Sequence, residues 1–273
     1  MASFTLHGIS VSQGIAIGRA HLLTPAALDV EHYLIAEEQV EAEVERLKDA
    51  IIAVHRELLT IRHTLPKEAP AELAAFLDVH ALILSDTMLS EMPLEIIRNR
   101  YYNAEWALVT QIDELSAQFD EIEDAYLRER KADIQQVGER ILKVLTGSAT
   151  VLPDEDDHAS AHIIVVAHDI SPADMLQFRD RAFAGFVTDM GGQNSHTAIV
   201  ARSLDIPAAV GMHNASGLVK QDDLLIIDGD AGVVIVDPAP LVLAQYRESQ
   251  AHLLRDRTKL GRLKKTPAVT LDG

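Results

Sequence analysis

A long stretch of helical periodicity lies between two stretches that read as strands, and this restricts the fold more than any other property of the chain. Val40, Val44, Leu47, Ile51, Val54, Leu58 and Ile61 recur in alternating steps of four and three, which puts them on one face of a helix. Glu37, Glu38, Glu41, Glu43, Glu45, Lys48, Arg56 and Arg62 take the other faces. The pattern stops near Leu65 and Pro66, so a bundle helix is expected rather than an extended coiled coil. Pro70 can open a second helix with Leu73, Phe76, Leu77, His80, Ala81 and Leu84 along its face. Asp86 or Thr87 can cap a third, with Pro93 near its first turns. Asn103 suits the N-cap of a helix carrying Trp106, Val109, Leu115, Phe119 and Ile122. Ile134, Val137, Ile141 and Val144 mark a last helix, and Gly147 stands where a C-terminal cap belongs. Residues 33–146 therefore form one helical block.

Around this block the period changes to that of strands. Residues 4–7 and 15–23 precede it; residues 162–167 and 183–188 follow it. Residues 224–227 and 233–236 flank Asp228-Gly229-Asp230-Ala231-Gly232 as a hairpin. Early and late strands are expected to share one sheet. The fold class is then an α/β domain, built from 1–32 and 147–237, with an all-α bundle of 33–146 inserted into it. From Pro238, Leu241, Leu243, Tyr246, Leu253 and Leu254 recur among charges, so 238–273 reads as a linker helix and tail.

Composition narrows the partners. Apolar residues make up 48%, which excludes a disordered chain. The net charge of −18 repels nucleic acid and anionic membranes and favours a basic protein partner. There is no cysteine, so disulfides, thiol catalysis and cysteine-bound zinc are excluded. No signal peptide is visible and the apolar runs are too short to span a bilayer, so a cytoplasmic location is expected. The 12 histidines are scattered without metal-ligand spacing, and no metal site is expected in the chain.

The chemistry is concentrated in Asp189-Met190-Gly191-Gly192-Gln193-Asn194-Ser195-His196, followed by the helical run 197–202. Paired glycines let the backbone turn sharply and approach a ligand. A helix opening offers N–H groups and partial positive charge to a phosphate. Asn194 and Ser195 add hydrogen-bonding groups, and His196 falls in the first turn. A neutral imidazole is itself a nucleophile, so a phosphohistidine intermediate needs no separate base. Spacing alone favours a merely tolerated first-turn histidine over a phosphoryl carrier. Asp189 reads as a turn former or as a group orienting the loop, and Arg202 as a salt-bridge or phosphate contact.

The run Gly191-Gly192, Ser195-His196, Ala198-Ile199 and Ala201-Arg202, followed by Ile206-Pro207-Ala208-Ala209-Val210-Gly211, resembles the active-site signature of phosphoenolpyruvate-utilising enzymes. The opening run 8–18 and Tyr126-Leu127-Arg128-Glu129-Arg130-Lys131-Ala132-Asp133 resemble Enzyme I of the bacterial sugar phosphotransferase system in particular. The resemblance extends over essentially the whole chain. It implies a swivelling phosphohistidine domain carrying an inserted bundle that binds the phosphocarrier protein HPr. It also implies His196 as the phosphoryl acceptor at its tele nitrogen, with Gly191, Gly192, Asn194, Ser195 and Arg202 around it. The implied HPr surface comprises Glu72, His80, Leu82, Ile83, Met88, Leu89 and Arg130. Phosphoenolpyruvate and magnesium would bind a carboxyl-terminal barrel that also carries the dimer contact, so the 273 residues are expected to be monomeric and the full-length enzyme a homodimer. The sequence departs from the family pattern at Asn194, where threonine is usual, and at Met175, where a hydroxyl residue is frequent. A dikinase- or synthase-type phosphohistidine domain, or a non-catalytic HPr-binding module, are the alternative readings.

Overall fold

The apolar stripe from Val40 to Ile61 forms one side of α1 (Val40–Thr64), preceded by a single 3-10 turn, Glu37–Gln39. The computed structural model describes residues 3–23, 30–65, 71–122, 125–147, 163–179, 183–193 and 195–263. Val40, Val44, Leu47, Val54, Leu58 and Ile61 are buried as the periodicity requires, with Ala50 buried in place of Ile51.

Four further elements complete the bundle as read from the sequence: α2 (Ala71–Ser85), a helix broken into α3 (Thr87–Ser90) and α4 (Met92–Arg100), α5 (Ala104–Asp120) and α6 (Ala125–Leu145). Asp86 caps α3, its Oδ1 accepting from the Met88 N–H at 2.8 Å. Asn103 stands at the N-cap of α5, but its side chain is drawn to the segment before α1. Its Oδ1 accepts from Tyr33 N, and its Nδ2 donates to Glu31 O and Glu105 Oε2. Glu43 of α1 supplies the missing cap, accepting from the Ala104 N–H at 2.8 Å.

Residues of α7 (Pro172–Arg179) belong to this helical unit, which spans Leu23–Pro153 and Ile170–Arg181. This corrects the expectation that the whole of 147–237 is α/β. The cause is a buried ionic cluster. Arg140 of α6, 6% exposed, donates from Nε and Nη2 to the two Glu57 oxygens, each at 3.2 Å. Its Nη1 lies 3.1 Å from both Asp174 Oδ1 and Ser171 Oγ. Ser171 Oγ also donates to Asp174 Oδ2 at 2.8 Å and accepts from the Asp174 N–H, so Ser171 and Asp174 open α7 while gripping α6.

The second unit spans Met1–Leu22, Asp154–Asp169 and Ala182–Gly273. Its strands are β1 (Phe4–His7), β2 (Ile9–Ser12), β3 (Ile15–Leu23), β4 (Ile163–Ala167), β5 (Phe183–Thr188), β6 (Ala208–Val210), β7 (Leu224–Asp228) and β8 (Val233–Val236). They form one eight-stranded sheet in the order β1-β8-β7-β3-β4-β5-β6-β2, parallel from β4 to β6. Segments before and after the helical block thus share a sheet, as expected. The two edge strands are consecutive in the chain, joined by Gly8 alone. Gly8 N donates to Gly232 O at 2.9 Å on the β8 side, and an added Cβ would lie 2.6 Å from Val210 O on the β6 side. Only a residue without a side chain passes between the two edges, and the sheet curls so that its ends meet. Ala16, Ala20, Ile164, Val166, Val187, Ala209, Leu225, Ile227 and Val234 fill its core. Helix α8 (His196–Leu204) packs against β2 and β6, α9 (Ala215–Leu218) packs against β4 and β5, and α10 (Pro240–Leu263) follows with Leu241, Leu254 and Leu260 exposed.

Candidate functional site

Strand β5 delivers the chain to Asp189, the first residue of the glycine-containing loop. Main-chain hydrogen bonds tie the loop's base to its neighbours: Asp189 N to Ala167 O, Met190 N to His168 O, Gly211 N to Met190 O and His213 N to Asp189 O. The loop therefore emerges between the ends of β4 and β6, at the carboxyl edge of the parallel strands, where α/β sheets present ligand sites.

Asp189 does more than form a turn. Only 3% exposed, it accepts from Ser216 N at 3.2 Å and from the Ser216 hydroxyl, fastening α9 beneath the loop. His168, at the end of β4, brings Nδ1 to 3.6 Å from the same carboxylate. Neither His168 nor Ser216 is signalled by local sequence; only the sheet's closure brings three separate segments to one carboxylate.

Gly191 has φ +102°, in the region that disfavours side chains. A Cβ there would also sit 3.3 Å from Ser195 Oγ and from Val210 Cβ, whereas one on Gly192 would meet open space. The first glycine is required by the turn, and the second keeps the loop's outer side bare. Ser195 N then donates to Gly192 O at 3.1 Å, and Ser195 becomes the N-cap of α8, its Oγ accepting from the Ala198 N–H at 3.2 Å. A cap of this kind contributes about 1 kcal/mol to its helix. The expected catalytic hydroxyl is thus first a structural one.

His196 is the first residue of α8, at the positive end of the helix dipole. The His196 side chain and all of Asn194 lie outside the described residues. Arg202 is engaged by the main chain of its own unit. Its Nη1 donates to Gln193 O at 2.9 Å and Val11 O at 3.4 Å, bracing the loop from the last turn of α8 against β2. Met175 is fully buried in the helical unit.

Among the residues expected to face a partner, the helical unit exposes Leu82 (71%), Met88 (38%) and Glu72, with Ile83 and Arg130 partly exposed. His80 and Leu89 are corrections: at 1% and 2% exposure they are packed inside the bundle and offer no outward surface. His80 lies under the Phe76 ring at 3.9 Å between centroids, on the inward stripe that also holds Leu73, Leu77 and Leu84. Among the described residues no single helix is long and apolar enough to cross a membrane.

Residues 7–130 match the family described as PEP-utilising enzyme, N-terminal, and residues 159–232 match PEP-utilising enzyme, mobile domain. The phosphoenolpyruvate-protein phosphotransferase of Cupriavidus necator is 62% identical over 276 residues, covering 99% of this chain and 47% of that protein. The protein of the same name from Geobacillus stearothermophilus is 36% identical, covering 98% and 46%. The chain thus spans about half the length of the curated relatives it matches. A solution structure of Enzyme I superposes with a TM-score of 0.65 at 33% identity, covering 91% of this chain and 99% of that one. An N-terminal domain of Enzyme 1 - Nitrogen superposes at 0.61 with 27% identity, covering 90% and 99%.

Proposed function

The chain belongs to the phosphoenolpyruvate-utilising enzymes, as a counterpart of the amino-terminal part of Enzyme I, and from that membership we propose that it carries a phosphoryl group on His196 and exchanges it with the phosphocarrier protein HPr. The observation that carries this reading is the loop itself. A required turn at Gly191 and an unobstructed Gly192 lead into a serine-capped helix whose first residue is His196.

A neutral imidazole is itself a nucleophile, so the transfer needs no separate base. The lone pair on the tele nitrogen forms the new N–P bond as the bond between phosphorus and the carrier's imidazole breaks, and that imidazole leaves with the electron pair. Donor and acceptor are both imidazoles, so the proton inventory of the pair is unchanged. The helix opening supports the transferred negative charge. Arg202 keeps Gln193 in place, and Asp189 holds the loop's base. HPr docks on the helical unit, where Leu82 and Met88 supply apolar anchors and the acidic surface steers a basic partner. Phosphoenolpyruvate and magnesium bind in the carboxyl-terminal barrel that the resemblance implies, outside these 273 residues, and the setting is cytoplasmic.

Two mixtures test this. Phosphorylated HPr is expected to add one phosphoryl group to the chain. Phosphoenolpyruvate with magnesium but no HPr is expected to add none. Labelling by phosphoenolpyruvate alone would contradict the assignment of donor to partner.

A further inference from the structure

Helix α10 is held to the α/β unit by three polar contacts. Tyr246 OH donates to Asp228 Oδ2 at 3.2 Å, and Gln250 Nε2 donates to Ile15 O at 2.9 Å. Arg257 pairs with Asp205, the residue that ends α8. These contacts fix which side of the helix faces the sheet. Leu253 and Leu254 lie between the last two of them, one turn after Gln250 and one turn before Arg257. Leucines so placed would ordinarily be buried, yet these remain 38% and 58% exposed. They share a wall with Gly14, Ala16 and Ala184, whose small side chains leave the space between unfilled. The result is a cleft of about 670 Å³ beside α10, all of it within the α/β unit. Small-molecule sites span about 300–1,000 Å³.

The polar groups of the lining are unequal. Gln250 and Arg257 are committed to Ile15 and Asp205. Arg247, one turn before Gln250, lines the same cleft, is exposed, and pairs with no carboxylate among the described residues. It is the one charged group of the lining not already engaged, and a guanidinium can hold a carboxylate by two parallel N–H···O bonds. Seven positions separate Arg247 from Leu254, about 10 Å of helix, which an extended chain of about eight to ten carbons spans. Ile15, Ile17, Pro207, Leu253 and Leu254 make the rest of the lining apolar. One free cation and an apolar wall fit a single negative charge on an aliphatic body. A sugar or a nucleotide would leave its polar groups unpaired there.

We propose that this cleft binds a medium-chain aliphatic monocarboxylate, with the carboxylate on Arg247 and the chain against Ile15, Ile17, Leu253 and Leu254. The assignment depends neither on His196 nor on HPr.

The probes are decanoate and its neutral counterpart decanol, titrated into the native chain and followed by calorimetry and by methyl NMR spectra. Decanoate is expected to saturate one site with a Kd below about 1 mM, and decanol to bind about tenfold more weakly. Decanoate should shift the methyl signals of Ile15, Ile17, Leu253 and Leu254 and leave Leu82 unchanged; Leu82, exposed on the helical unit, reports non-specific adsorption. Arg247→Gln is expected to weaken decanoate about tenfold and decanol by less than about twofold. Arg247 is exposed, so this replacement does not endanger the fold. The absence of saturable decanoate binding overturns the proposal, as does equal affinity of the native chain for decanoate and decanol. Unchanged decanoate affinity in Arg247→Gln, equal weakening of both probes, or methyl shifts confined to the helical unit overturn it as well.

Discussion

With His196→Gln the chain is expected to accept no phosphoryl group from phosphorylated HPr, while binding HPr as tightly as the native chain. The loss should be on the order of 10⁴-fold or more, the scale on which removing a covalent nucleophile acts. The hydroxyl residues on either side of His196 are a helix cap and a buried side chain. The Ser195 hydroxyl accepts from the Ala198 N–H, and Thr197 is only 3% exposed. The fold should be unaffected, because α8 is capped by Ser195 and not by His196. Intact mass after incubation reads the transfer, and calorimetry with HPr reads the binding. A variant that still gains phosphate would move the acceptor elsewhere; a variant that no longer binds HPr would mean that the substitution had disturbed more than one side chain.

The largest stability effect is expected at Arg140. Arg140→Ala leaves Asp174 and Glu57 without their shared cation, and breaking a buried pair in this way costs about 3–5 kcal/mol. Urea titration should show the helical unit unfolding at a lower midpoint, with the α7 segment losing protection from hydrogen exchange first. The same cluster gives a pH dependence. Burial raises the Asp174 pKa, but Arg140, Lys143 and Ser171 more than offset it and hold the carboxyl below its ordinary value of 3.8. The folded state therefore binds its proton less readily than the unfolded state. Asp174 contributes its full stabilisation above about pH 4 and loses it as the pH falls further through the lowered value. Arg140, though burial lowers its pKa, is raised overall by Asp174 and Glu57, so its contribution would be lost only at strongly alkaline pH. Asp174→Asn should flatten the acid limb of the stability curve, and an unchanged limb would assign it to other carboxylates.

How much of this was legible in the sequence depends on whether the deciding forces were local. The α1 stripe was, because a period of four and three over more than twenty residues is set by helix geometry alone. The face of α5 was not. Ala104, Leu108, Gln111, Ile112 and Leu115 are buried, whereas Trp106 stacks at 3.5 Å on Tyr102 and also faces His32, away from the expected stripe. Packing between α4 and α6 decided which residues of α5 turn inward. Strands β2 and β6 went unrecognised, since each is short and exists through its partner: Ile9 pairs with Val210 and Ser10 with Ala209 across two hundred residues. Helix α7 could be read from Ser171-Pro172-Ala173-Asp174, yet its membership of the helical unit depends on Arg140, thirty residues away. In the site, the glycine turn and the first-turn histidine were visible locally, whereas Ser195 was read as a ligand group and is the cap of α8. The brace from Arg202 and the fastening of Asp189 by Ser216 were not visible, because their partners are backbone carbonyls and side chains brought in by the sheet.

The most direct measurement is to incubate the native chain with phosphorylated HPr, digest it at alkaline pH to preserve an acid-labile bond, and map the phosphoryl group by mass spectrometry. The expected result is one phosphoryl group, on the peptide containing His196. A phosphoryl group on any other residue, or none although HPr binds, would contradict the assignment of His196 as the carrier.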